Sequence, residues 1–315
     1  MKSTFSAPHL CNEGAAIAHV EGLLWPAGPV CPHCGTIDQA TRMQGKTTRP
    51  GLWNCRACRK PFTVRMGTVF EASHIPLHIW LQAIYLMASS KKGISTRQLQ
   101  RTLGGSMKTA WFLGHRIREA MAVLGVIGAD PLGGANQVVE ADETWIGGKA
   151  ANRKNYIPPK SIVLSLIERG GQVRSFRVPN VTAQTLKPII VQNVNKASYL
   201  MTDESPSYWP IGGQFSGHGT VNHSAEEYVR AVFWHTNTVE NYFSIFKRGV
   251  YGCYFHVSEQ HLQRYAAEFD FRHNHRVALG FDDITRADRI VKGAKGKRLT
   301  YRTTRGGRAT EALPW

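Results

Sequence analysis

No run of eighteen or more consecutive apolar residues occurs in this chain of 315 residues, so a membrane-spanning helix is not expected. The first twenty residues carry Cys11, Asn12, Glu13 and His19 in place of the unbroken apolar core of a secretory signal. A cytoplasmic protein is expected, with no membrane partner. Acidic residues are scarce: 22 Asp plus Glu stand against 39 Lys plus Arg, a formal net charge of +17. That shortfall creates a positive field that favours a polyanion through long-range attraction and counterion release. Charge alone does not separate DNA from RNA or from an acidic lipid surface. Cysteine is sparse too, with six in the chain, four of them in two close pairs. This excludes a disulfide-dense scaffold and suits metal thiolates in a reducing compartment. Cys11 and Cys253, outside the pairs, read as small hydrophobes. What is present suffices for folding: 42% hydrophobic residues and a length that divides into two or three units.

Residues 1–30 show little periodicity and read as a short leader packed on the adjoining segment. Cys31-Pro-His-Cys34 and Cys55-Arg-Ala-Cys58 come next, twenty residues apart. Each CxxC turn aims two sulfurs at one ion, so residues 31–62 read as a zinc ribbon of short antiparallel strands, with Cys31, Cys34, Cys55 and Cys58 holding a structural Zn2+. Arg42, Lys46, Arg49, Arg56, Arg59 and Lys60 make the ribbon basic.

Residues 63–130 carry helical periodicity. Leu77, Trp80, Leu81, Ile84 and Met87 share a face behind Pro76, Ser95 is placed to cap a second helix, and a third runs on from Lys108. The block is helix-turn-helix-like, and Lys108, His115, Arg116 and Arg118 on its last helix are expected to face nucleic acid. The segment 280–315, with Arg286, Arg289, Lys292, Lys295, Lys297, Arg298, Arg302, Arg305 and Arg308, reads as a flexible basic tail.

Residues 136–279 run in the order strand, strand, strand, helix, strand, short helix, strand, helix, the order of a ribonuclease-H-like α/β fold with helices covering a mixed sheet. Three acids fall at informative places. Asp142 lies in or at the end of the first strand, Asp203 ends a later strand, and Glu240 begins the helix after His235-Thr-Asn-Thr-Val. Clustered carboxylates supply the oxygen ligands that hard Mg2+ or Mn2+ requires, and paired ions about 3.5 to 4 Å apart serve in-line displacement at phosphorus. Other uses stay open. Glu140 shares the strand face of Asp142 while Glu143 points the other way; Asp203 can close an Asx turn, with Glu204 as its rival; Glu240 can complete a capping box with Asn237 as N-cap. Lys247, two helical turns beyond Glu240, is placed to meet a phosphate, with Arg248 beside it and Lys149 after the first strand as further DNA-binding candidates. His256, His273 and His275 sit among aromatics and read as packed or phosphate-facing rather than as a second metal site.

Four stretches together resemble the insertion-sequence transposases of the IS1595 class, whose catalytic region is the ISXO2-like transposase domain. They are Val139-Glu-Ala-Asp142-Glu-Thr-Trp-Ile-Gly-Gly-Lys149, Thr202-Asp203-Glu204, His235-Thr-Asn-Thr-Val-Glu240-Asn-Tyr-Phe-Ser-Ile-Phe-Lys247-Arg248-Gly249, and His261-Leu-Gln-Arg-Tyr-Ala-Ala-Glu-Phe-Asp-Phe-Arg272. With the cysteine ribbon, the resemblance runs from Cys31 to Arg276. It implies that Asp142, Asp203 and Glu240 are an acidic triad and Lys247 its basic companion. They would act with Mg2+ or Mn2+ on double-stranded DNA bearing terminal inverted repeats. The implied reaction uses one site twice: water cleaves at the element end, and the freed 3'-hydroxyl attacks target DNA. Joining two ends implies a homodimer or larger assembly on DNA. The rival readings are a catalytically inactive, sequence-specific DNA-binding regulator and a ribonuclease-H-like nuclease.

Overall fold

In the computed structural model of this chain, residues 3–122, 130–147, 160–221 and 235–300 are described. The chain forms two compact units, one drawing on Met1–Leu124 together with Phe281–Trp315 and the other on Gly125–Gly280.

The first unit opens with α1 (Pro8–Cys11) and α2 (Glu13–Leu24). Asn12 starts α2, its side-chain oxygen accepting from Ala15 N at 3.0 Å, and Ala16, Ile17, Val20 and Leu24 form the buried stripe. The segment expected to be an aperiodic leader is therefore mostly helix. The reason is its partner. Trp53 Nε1 donates to Glu21 Oε1 at 2.8 Å, and the Trp25 ring meets Trp53 and Phe62 edge-on, so the helix end is tied to the cysteine ribbon. That ribbon is an antiparallel sheet of β1 (Ala40–Arg42), β2 (Trp53–Cys55) and β3 (Pro61–Phe62), with β2 in the middle.

Three more helices complete this part of the chain: α3 (Leu77–Ser89), α4 (Thr96–Leu103) and α5 (Met107–Met121). Ser95 caps α4 as expected, accepting from Gln98 N at 3.1 Å, and Ser106 caps α5 through Thr109 N. Between them Gly104 and Gly105 hold φ near +80°, where a Cβ would be strained, and this lets the chain turn within two residues.

The sheet of the second unit is built from β4 (Val138–Ile146), β5 (Ser161–Glu168), β6 (Val173–Val178), then, after α6 (Ala183–Asn193), β7 (Tyr199–Asp203) and, after the short α7 (Trp209–Gly212), β8 (Gly217–Val221). Its spatial order is β6-β5-β4-β7-β8, antiparallel across β6, β5 and β4 and parallel across β4, β7 and β8. The helices α8 (Asn237–Gly249) and α9 (Glu259–Asn274) complete the unit, and the element order is the one the sequence led us to expect. Strand alternation divides the core. Val139, Ala141 and Leu200 pack with Leu186, Ile190, Tyr208 and Ile211 on the α6 side. Ile146, Val163 and Ile167 pack with Val239, Tyr242, Phe246 and Phe269 on the α8 and α9 side. Parallel strands covered on both faces are the usual arrangement for such a sheet.

The chain returns to the first unit with α10 (Asp283–Lys292), capped by Asp282, whose carboxylate accepts from Thr285 N at 2.7 Å. Ile290 and Val291 are buried, and the helix packs against α3, α2 and α5. Beyond it, Lys297 is buried and its ammonium donates to the carbonyls of Ala120 and Ala122 at the end of α5. Cations suit helix C-termini. The expectation of a flexible phosphate-binding tail is corrected over residues 281–300: a hydrophobic pair and a capping lysine place this stretch in the packed unit. Arg302, Arg305 and Arg308 lie outside the described residues.

Candidate active site

The β4–β7 ladder pairs Val138 with Tyr199, Val139 with Leu200 and Glu140 with Met201. Asp142 and Asp203 each follow two residues beyond the last pair on these neighbouring parallel strands. Because Val139 and Leu200 face α6, alternation turns Asp142 and Asp203 toward the opposite face, the side of α8. Glu240 stands in the first turn of α8. A long separation in the chain thus vanishes in the register of one strand pair.

The electrostatics record this meeting. Burial, the charge of Glu143, and then those of Asp203 and Glu240 raise the Asp142 carboxyl from an ordinary 3.8 to about 7, against the opposing hydrogen bond from Glu143 N at 2.7 Å. Burial, with the neighbouring acids adding, therefore holds the Asp142 carboxyl partly protonated near neutral pH. Asp203 also serves the Asx turn open to it, accepting from Ser205 N at 3.1 Å. Glu240 Oε1 accepts from Thr236 Oγ1 at 3.0 Å. The expected capping box is corrected: Thr236, not Asn237, is the N-cap and makes no side-chain bond to the helix amides, so Glu240 stands one position past N3.

The neighbouring acids have separate occupations. Glu143, on the α6 face, accepts a short hydrogen bond from the buried Tyr208 hydroxyl, and desolvation raises its pKa. Glu140 is fully buried and engages α8, accepting from Thr238 N at 2.9 Å and Val239 N at 3.0 Å. Arg169 Nε donates to the same carboxylate at 2.7 Å. Neither Arg169 nor this use of Glu140 was anticipated; the available signal was an acid inside the apolar run Val138-Val139-Glu140-Ala141, which must find partners to be buried.

Lys247 and Arg248 are both exposed near the end of α8. Lys108 is exposed in the first turn of α5, where a cation opposes the helix dipole. Arg116 and Arg118 are corrected: they are 6% and 3% exposed, not presented to a groove. The Arg116 guanidinium lies over the rings of Trp80 and Phe112, 5.6 and 5.3 Å from their centres, and donates to Glu71 O. His115 is buried with them. Lys149 falls outside the described residues. His273 and His275 are packed, on Tyr242 and Phe271 respectively, while His256 is exposed.

Cys31, Cys34, Cys55 and Cys58 bring their sulfurs within 4.8 Å of one another, the compact metal-holding group found among the described residues. The pairs Cys31–Cys58 and Cys34–Cys55 are 3.6 Å apart, close to the roughly 3.8 Å that tetrahedral zinc with bonds of about 2.3 Å requires. Asp142 feels the charges of Asp203 and Glu240, but the three carboxylates do not form a group that tight.

Comparison with known proteins agrees with this division. Residues 131–274 match the ISXO2-like transposase domain, and residues 11–61 match the transposase zinc-ribbon domain, whose span takes in α2 as well as the cysteines. A relative from Halobacterium salinarum, described as an uncharacterized protein in transposable element ISH50, is 24% identical over 267 residues, 79% of this chain and 86% of its own. No helix among the described residues is long and apolar enough to cross a membrane. With a match to a transposase zinc ribbon followed by a match to an ISXO2-like transposase domain on one polypeptide, the chain is similar to the IS1595-class transposases.

Proposed function

We propose that this chain cleaves phosphodiester bonds at the terminal inverted repeats of a mobile DNA element and joins the freed 3'-hydroxyl ends to target DNA. The observation that carries the reading is that Asp142 and Asp203 each lie two residues past the last pair of two adjacent parallel strands, with Asp203 and Glu240 both contributing to the charge felt at Asp142. The sheet order and the helices on both faces support a ribonuclease-H-like catalytic domain.

The donor set fits Mg2+ or Mn2+: all ligands are oxygens, and the Asp142 carboxyl, raised first by burial and then by the charges of Glu143, Asp203 and Glu240, is favoured in its ionised form by a divalent charge. When bound, such ions activate the attacking oxygen and offset charge on the leaving one. Asp142 and Asp203 hold one edge of the site from the rigid sheet, and Glu240 closes it from α8. Lys247, a mobile point charge two turns along the same helix face, meets a phosphate oxygen of the bound strand, with Arg248 beside it. The four cysteines hold a structural zinc ion, which stands in for the core a small ribbon lacks. Lys108 and the basic ribbon bind the DNA backbone, and two chains assemble on paired ends.

The test is incubation of the full chain with duplexes carrying the element's own terminal repeats and Mg2+. Nicked ends bearing 3'-hydroxyls and joined products are expected, both lost in Asp142→Asn or Asp203→Asn while the gel shift of the DNA persists. Binding without metal-dependent nicking would favour the regulator; equal cleavage of RNA–DNA hybrids would favour a nuclease.

A further inference from the structure

We propose that Glu140 is a positioning residue for the carboxylate site, setting where Glu240 stands relative to Asp142 by capping the helix that carries Glu240. The inference rests on the reading of Glu240 as a metal-holding carboxylate.

An α-helix begins with amide groups that have no partner inside it. In α8 the local N-cap, Thr236, makes no side-chain bond to those amides. The bonds come instead from Glu140, 98 and 99 positions earlier in the chain: Oε2 accepts from Thr238 N and Val239 N, and Oε1 accepts from Thr238 Oγ1 at 2.9 Å. A carboxylate at this helix end is favoured by the dipole as well. Arg169 closes the arrangement. Its Nε donates to Glu140 Oε1, one of its terminal nitrogens donates to His235 O at 2.7 Å, and its own amide donates to Val138 O at 3.0 Å. His235 Nδ1 approaches Oε1 at 3.3 Å without the alignment of a hydrogen bond. Glu140 of β4 therefore holds the first turn of α8, while Arg169, bonded to both Glu140 and His235 O, ties in the segment just ahead of the helix.

The geometry connects that grip to chemistry. Glu140 precedes Asp142 by two residues and shares its strand face, while Glu240 lies one or two residues beyond the capped amides. A single stretch of strand thus supplies one acid of the site and the anchor for another. Burying a charged pair brings little net stability compared with apolar packing of the same volume. A costly carboxylate in the sheet interior is better accounted for by the placement it enforces, since displacements of about 1 Å at a reacting centre cost on the order of a hundredfold in rate.

The experiment uses the full chain, with Glu140→Gln as the main variant, Thr238→Val as a milder one that keeps Glu140 and removes one donor, and Glu240→Gln as a control. Amide hydrogen exchange is followed at the start of α8, Mn2+ binding is measured calorimetrically in the absence of DNA, and a melting curve is recorded for each protein. Glu140→Gln is expected to speed exchange at Thr238 and Val239 and to weaken Mn2+ binding about tenfold, with Thr238→Val giving a smaller change in the same direction. Should Glu140→Gln fail to fold, Thr238→Val decides. Unchanged exchange at α8, or unchanged Mn2+ affinity where Glu240→Gln weakens it, overturns the proposal. If Glu240→Gln itself leaves Mn2+ binding intact, the reading of the site falls instead, and the exchange data still report whether the cap exists.

Discussion

Asp142 and Asp203 both lie within neighbouring parallel strands, each two residues past the last β4–β7 pair, Glu140 with Met201, so their backbones are positioned by the sheet rather than by a loop. Lengthening either by one methylene keeps the charge and moves the oxygens by about 1.5 Å. Asp203→Glu is accordingly expected to lower single-turnover end cleavage by about a hundredfold while DNA binding is unchanged. Cleavage at the original rate would mean that sheet-fixed spacing is irrelevant.

Acid stability should carry the signature of His273. Burial, with Arg276 adding, lowers its pKa from 6.5 to about 4. The unfolded chain takes up a proton near 6.5 and the folded chain only near 4, so stability falls as pH drops across that window. His273→Phe should flatten the slope there by up to one proton, read from denaturant midpoints at a series of pH values. An unaltered slope would show that this ring is not held neutral by the fold.

The cysteine ribbon should release one zinc ion per chain to a strong chelator. Trp25 and Trp53 pack against the cluster of Cys31, Cys55 and Phe62, so tryptophan fluorescence should change with metal loss. Cys55→Ser should purify with little zinc and a lower melting temperature. Full zinc occupancy in that variant would require a different ligand set.

Lys108 and Arg116 should part company. Lys108→Ala is expected to weaken DNA binding and reduce the salt slope by about one, with stability within about 0.5 kcal/mol of the parent. Arg116→Met should instead cost about 2 kcal/mol of stability, because the guanidinium is lodged between Trp80 and Phe112 and serves Glu71 O. A loss of DNA affinity in Arg116→Met without destabilisation would restore it to the DNA surface.

These residues also mark what the sequence made legible. Local signals read well: the Ser95 cap, the apolar stripe of α3, and the strand order that delivers Asp142, Asp203 and Glu240 all depend on neighbours within a few positions. Partners remote in the chain did not. The stripe of α2 was present in Ala16, Ile17, Val20 and Leu24, yet Gly14 and Gly22 weaken it, and its support comes from Trp53 and Phe62. In α10 the two buried apolar residues, Ile290 and Val291, were outnumbered by lysine and arginine. A basic helix face looks solvated until a distant tryptophan is found beneath it, as for Arg116, and Glu140 looked like a competing ligand because the amides it caps lie 98 residues away.

The central claim is that Asp203 is a ligand of a catalytic divalent ion. It is tested most directly by Asp203→Cys, assayed for strand joining on terminal-repeat DNA in Mg2+ and in Mn2+. A thiolate is a poor partner for hard Mg2+ and a better one for Mn2+. Loss of joining in Mg2+ with recovery in Mn2+ is the expected result; joining at the parental level in Mg2+, or no difference between the two ions, contradicts the account.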